Sequence, residues 1–160
     1  MFVLWKVGPF LERLFGSVTF LIFYLVSAIG GSEASLWWNE FGVSAGASGA
    51  LFGIFGSLLG YLLAKPPGMS AAIMSQLRFW AINFIVLNIA FVFFLAGVDQ
   101  AAHGGGALAG LLIGLLAGAI QKNSVLKTPI LKHGILLLAG VGLCWASWFT
   151  LQKETADKFI

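Results

Sequence analysis

The sequence predicts an all-α, polytopic transmembrane helical bundle, and three observations predict it. Hydrophobic residues fill 59% of the 160 positions and charged residues 9%, against about 25% charged in soluble domains. Mean hydropathy is +0.97. The apolar residues gather in continuous runs, several close to the roughly 17–25 positions a helix needs to cross a bilayer. Alternating strands of about ten residues, the mark of a membrane barrel, are not seen. A water-soluble fold of this length could not cover so much apolar surface.

Taken in order, Met1–Phe15 reads as the end of a helix, because Lys6, Gly8, Pro9, Glu12 and Arg13 interrupt its apolarity. Ser17–Gly31 and Ser48–Ala64 are short spans; Leu77–Ala96, Ala102–Ile120 and Gly134–Leu151 are clear ones. That makes five full spans and a partial N-terminal one. No repeat, low-complexity tract or linker separates them, so they form one helical domain. Residues 1–120 are its core, and 121–160 add a cytoplasmic loop and a further C-terminal transmembrane helix. Trp37 and Trp38 suit an interfacial position, as do Trp145 and Trp148 toward the outer end of the last helix. Asn83 and Asn88, mid-helix, are expected to make interhelical hydrogen bonds. His133, after Lys132, is expected to be a solvated interface residue. The single cysteine, Cys144, excludes an intrachain disulfide. The N-terminus does not have the pattern of a signal peptide.

Basic loop residues orient such a bundle. With the Met1–Phe15 end in the cytoplasm, Lys6, Arg13, Lys65, Arg78, Lys122, Lys127 and Lys132 fall inside, and Lys153 and Lys158 outside. Glu33, Glu40 and Asp99 then lie in outer loops. The inverse topology would misplace seven of the nine basic residues. A net charge of +3 spread this way serves topology, and no nucleic-acid partner is expected. No Asp, Glu, Lys or Arg lies deep in a span, which counts against a transporter.

This topology brings two polar residues to one depth. Ser48 opens the Ser48–Ala64 run in Gly46-Ala47-Ser48-Gly49, and His103 is near the start of Ala102–Ile120. The first run spans roughly 25 Å, less than the ~30 Å hydrocarbon core, so its start is expected below the outer headgroups. Gly106, Gly110, Gly114 and Gly118 recur every four residues on the face that carries His103, and Gly49, Gly53, Gly56 and Gly60 stripe the other helix. Taken alone, such stripes are packing devices that let backbones approach in lipid, and a helical Ser commonly bonds back to its own helix. Together they are expected to cross, carrying His103 to Ser48. A paired imidazole can then take the serine proton for nucleophilic attack. The unpaired N–H groups that open a helix point where an oxyanion would develop.

These motifs resemble the rhomboid family of intramembrane serine proteases. Its Gly-x-Ser-Gly motif is matched by Gly46-Ala47-Ser48-Gly49-Ala50-Leu51-Phe52-Gly53, and its Ala-His-x-x-Gly-x-x-x-Gly by Ala102, His103, Gly106 and Gly110. Asp99 stands where the family has an acidic residue ahead of the histidine. Gly8 through Ser17 looks like the turn between the family's second and third helices. The resemblance covers Met1 to about Ile120. It implies Ser48 as nucleophile and His103 as general base and then acid, without a third acidic member. It implies an oxyanion site at the Ser48 backbone N–H, with Gly46 keeping the loop close to substrate. Phe52 would support the histidine ring, and Gly49, Gly106 and Gly110 would allow the close crossing. Substrates would be transmembrane segments of other proteins, entering past Leu77–Ala96 and cut near their outer ends. No metal or organic cofactor is expected. The expected location is a bacterial inner membrane, with the site toward the outer side. The family's His-x-x-x-Asn motif and first helix would precede Met1, so the sequence is expected to be a truncated reading of a longer protein. Without one oxyanion donor the rate falls by about 10²–10³. The alternative implied is a catalytically impaired relative that binds transmembrane segments without cutting them.

Overall fold

The computed structural model describes residues 2–38, 47–94, 98–123 and 128–158. Among the described residues the secondary structure is entirely helical: α1 Phe2–Phe15, α2 Ser17–Trp38, α3 Ser48–Leu63, α4 Ala71–Phe93, α5 Gln100–Lys122 and α6 Pro129–Lys158. The all-α expectation is met. Three of these helices, Ser17–Trp38, Ala71–Ala90 and Gln100–Lys122, are long and apolar enough to cross a membrane, and Ser48–Leu63 and Pro129–Leu143 are shorter apolar helices. This is an integral membrane protein.

Local polar chemistry places the helix ends, and it moves several expected boundaries. α1 runs through Gly8 and Pro9, so the corner expected over Gly8–Ser17 narrows to one residue. Gly16 takes a left-handed φ of +83° and donates to the Glu12 carbonyl at 2.7 Å, a conformation that glycine adopts without a Cβ clash. α2 continues past Gly31 to Trp38 because Ser32 folds its hydroxyl back onto the Ala28 carbonyl (2.9 Å) and does not break the helix. α4 starts at Ala71, six residues before the expected Leu77, because Ser70 caps it: the Ile73 N–H donates to Ser70 Oγ at 3.3 Å. α6 starts at Pro129, where the missing N–H costs nothing.

α3 occupies the centre, flanked by α2, α4 and α5, and its buried side chains run nearly all round it. The core is filled by Leu11, Phe15, Phe23, Ile54, Leu62, Ile113 and Leu136. Phe15 meets Phe23 and Tyr61 edge-on at 5.0 and 5.2 Å between centroids, the geometry the ring quadrupoles favour. α4 is anchored by Leu77, Ala81 and Phe84, while Phe79, Trp80, Val86 and Leu87 face outward. Those exposed apolar side chains suit lipid rather than water.

Two polar expectations fail. Asn83 and Asn88 donate to the Phe79 and Phe84 carbonyls of their own helix, each at 2.7 Å. The i−4 carbonyl is always within reach, whereas α4 offers few residues to a neighbouring helix. His133 is half-buried rather than solvated, and its Nε2 lies 3.2 Å from the Oγ1 of fully buried Thr19. α6 lies against α2 there, which brings the two residues together.

Candidate active site

The α3–α5 crossing is as close as two backbones permit. A Cβ built on Gly106 would lie inside the Gly49 carbonyl, and one on Gly110 inside the Gly53 carbonyl. From the other side, a Cβ on Gly49 would be 3.0 Å from the Ala102 carbonyl oxygen. The expected contact of Gly49, Gly106 and Gly110 is thus present. The structure adds a third member that sequence reasoning missed. On α2, a Cβ on Gly31 would lie 2.7 Å from the same Ala102 oxygen, Gly30 presses on Ala109, and Ser27 fills the space beside Gly53. The signal was available: Ser27, Gly30, Gly31 and Ala34 recur every three or four residues along one helix face.

Ser48 begins α3. Its predecessor Ala47 makes no side-chain cap, and the first helical bond runs from the Leu51 N–H to the Ala47 carbonyl at 3.1 Å. The N–H groups of the first helical positions therefore lack an intrahelical partner. Ser48 itself is exposed, and His103 is 3% exposed. Its ring stacks on Phe52, with centroids 4.4 Å apart and planes at 24°. Phe52 is four residues after Ser48, so the two share one face of α3. The imidazole therefore lies against α3, on the ring of the residue one helical turn after Ser48. Among the described residues no hydrogen bond joins the two side chains, and His103 Nδ1 is buried without a partner. Catalytic hydrogen bonds are often long before substrate arrives. Phe84 of α4 packs on Phe52 from 5.8 Å, closing the apolar side of the ring. Gly46 lies outside the described residues.

Asp99 sets the start of α5. It is the N-cap, in extended conformation, and its Oδ1 accepts the Ala102 N–H at 3.0 Å. Its Oδ2 accepts a hydrogen bond from the hydroxyl of Ser35, near the end of α2. Ser35 is 4% exposed and was not singled out from the sequence, since a lone serine near a helix end carries no signal of its distant partner. Trp37 and Trp38 beyond it are exposed, as an interfacial position requires.

The chemistry this arrangement supports is attack by a hydroxyl at a helix N-terminus, with an apolar-clamped imidazole near it. Comparison with known proteins gives the family. The rhomboid-domain family model matches residues 1–120. The chain is 33% identical over 142 residues to the rhomboid protease GluP of Bacillus subtilis, covering 89% of this chain and 27% of that protein. It is 39% identical over 110 residues to RHOMBOID-like protein 1 of Arabidopsis thaliana (69% of this chain, 28% of that one). The rhomboid protease AarA of Providencia stuartii is 30% identical over 133 residues, covering 70% and 47%. The chain thus spans between about a quarter and a half of these relatives. No solved structure matches at a significant level. A family match over three-quarters of the sequence, on the stretch that holds both helices of the crossing, makes this chain a member of the rhomboid family.

Proposed function

We propose that the protein is an intramembrane serine endopeptidase that cuts transmembrane segments of other membrane proteins through a Ser48–His103 dyad. The observation that carries the reading is the stacking of the His103 ring on Phe52, one helical turn from a serine at the open N-terminus of α3. In this mechanism His103 removes the Ser48 proton as the oxygen attacks the scissile carbonyl. The N–H of Ser48 stabilises the oxyanion, and Gly46 leaves room for the substrate. His103 then gives the proton to the leaving amine, and water hydrolyses the acyl-enzyme by the same steps. Phe52 holds the ring, and Gly49, Gly106 and Gly110 let its helix come close. The homologous proteases support the reaction class. The basic loop residues support an active site on the side away from them; in this reading the membrane is a bacterial inner one, residues 1–120 are the core and the α6 region is an addition.

The test is cleavage of a model transmembrane substrate in proteoliposomes, together with labelling by a fluorophosphonate. Both are expected to disappear in Ser48→Ala and His103→Ala while thermal unfolding is unchanged. Cleavage that survives Ser48→Ala overturns the reading. The unformed Ser48–His103 hydrogen bond favours one rival, a family member that binds transmembrane segments without cutting them. Substrate binding by a protein that never labels would select it.

A further inference from the structure

We propose that Ser35 is a positioning residue for the hydrolysis: its bond to Asp99 holds the first turn of α5, and so aims the His103 ring. This inference rests on the serine-protease reading above. In a three-member serine protease site, a carboxylate bonded to the imidazole Nδ1 fixes the ring. Here Nδ1 is buried and has no partner. The ring's direction must therefore come from its stack on Phe52 and from the backbone that carries it.

That backbone is tied at one residue. The two oxygens of Asp99 do different jobs. Oδ1 takes the Ala102 N–H and decides at which residue α5 begins; Oδ2 takes the Ser35 hydroxyl and decides where that beginning sits against α2. The His103 N–H follows at once, bonding to the Asp99 carbonyl at 3.4 Å. His103 is the fourth residue of α5, in the turn that this cap and this bond hold. An O–H donated to a carboxylate is roughly twice as strong as a neutral bond, and Ser35 is nearly fully buried. The neighbouring backbones leave no slack. A Cβ on Gly105 would lie 2.7 Å from the Gly30 carbonyl, and one on Gly31 at the same distance from that of Ala102. The Ser35–Asp99 bond closes the open end of this contact, next to the histidine.

The experiment measures kcat and KM in proteoliposomes, per Ser48 titrated with fluorophosphonate. Ser35→Ala should lower kcat roughly 10- to 100-fold, the scale of an ångström's misplacement, with KM unchanged. Ser35→Thr should recover most of the rate. Asp99→Ser, which still caps α5 but is too short to reach Ser35, should match Ser35→Ala, and it serves equally if Ser35→Ala does not fold. The Ser35→Ala/Asp99→Ala double variant should be no slower than its slower parent, because both changes break one bond. Wild-type kcat per titrated site in Ser35→Ala or Asp99→Ser, or rate losses that multiply in the double variant, would overturn the positioning role and leave the protease reading standing. Failure of the wild type to label at Ser48 defeats that reading itself, and the positioning role with it.

Discussion

Substituting Gly106 by alanine should separate α3 from α5. An added Cβ there would lie 2.7 Å from the Gly49 carbonyl carbon and 3.1 Å from its Cα, with the oxygen nearer still. Ordinary contact begins at 3.4 Å, so relief requires at least 3.4 − 2.7 = 0.7 Å of retreat from the carbon. The obstacle is backbone, which cannot swing away as a side-chain tip does. Gly110 and Gly114 meet α3 carbonyls in the same way, so α5 must move as a body. Overpacking of this kind costs about 1–3 kcal/mol, and the absence of a yielding neighbour puts the expected loss at the upper end. His103, one turn away on the same helix, would be carried off Phe52, and a shift of about 1 Å is worth up to 10²-fold in rate. The internal control is Gly104→Ala, where an added Cβ meets nothing within 4 Å. That variant should match or exceed wild-type stability, since alanine outranks glycine in a helix by up to about 1 kcal/mol. Thermal unfolding of the detergent-solubilised variants separates the two cases. Equal unfolding temperatures for Gly106→Ala and Gly104→Ala would refute the close-crossing account.

Other expectations follow from single contacts. Phe52→Leu removes the ring under His103; an aromatic pair is worth about 0.5–1.5 kcal/mol, so turnover should fall by up to about tenfold, while Phe52→Tyr keeps most of it. Thr19→Val leaves His133 without its partner and should destabilise the docking of α6 by about 1 kcal/mol, read as faster hydrogen exchange in the first turns of α6. Asn83→Leu should change stability by less than about 0.5 kcal/mol, because the amide is satisfied within its own helix. A loss of 2 kcal/mol or more, the scale of a broken buried network, would restore the interhelical bond to consideration.

Legibility differed from residue to residue. Helix type and approximate place were readable because apolar run length is a property of consecutive residues. The ends were less so: α4 begins six residues early at the Ser70 cap, and α2 absorbs Ser32 by a back-bond. In both cases a hydroxyl within one turn decided the matter, and such local bonds compete too evenly to be read from composition. The glycine stripes of α3 and α5 were visible as spacing, and so was the phase that sets His103 beside them. The stripe on α2 was equally regular, but Ser27 and Ala34 among its members disguised it.

Hydropathy and local spacing, both written along the chain, were enough by themselves to determine a helical membrane protein with two small-residue helices and a serine and a histidine at their matching ends. Only the tertiary structure decided that α2 joins that crossing, that Ser35 meets Asp99, that Thr19 meets His133, and that the asparagines turn inward on their own helix. These pairings join residues 64 and 114 positions apart, or depend on a neighbour being absent. The physical reason is that a side chain's partner is whatever packing brings within about 3 Å, and no stretch of sequence on either side of it carries that distance.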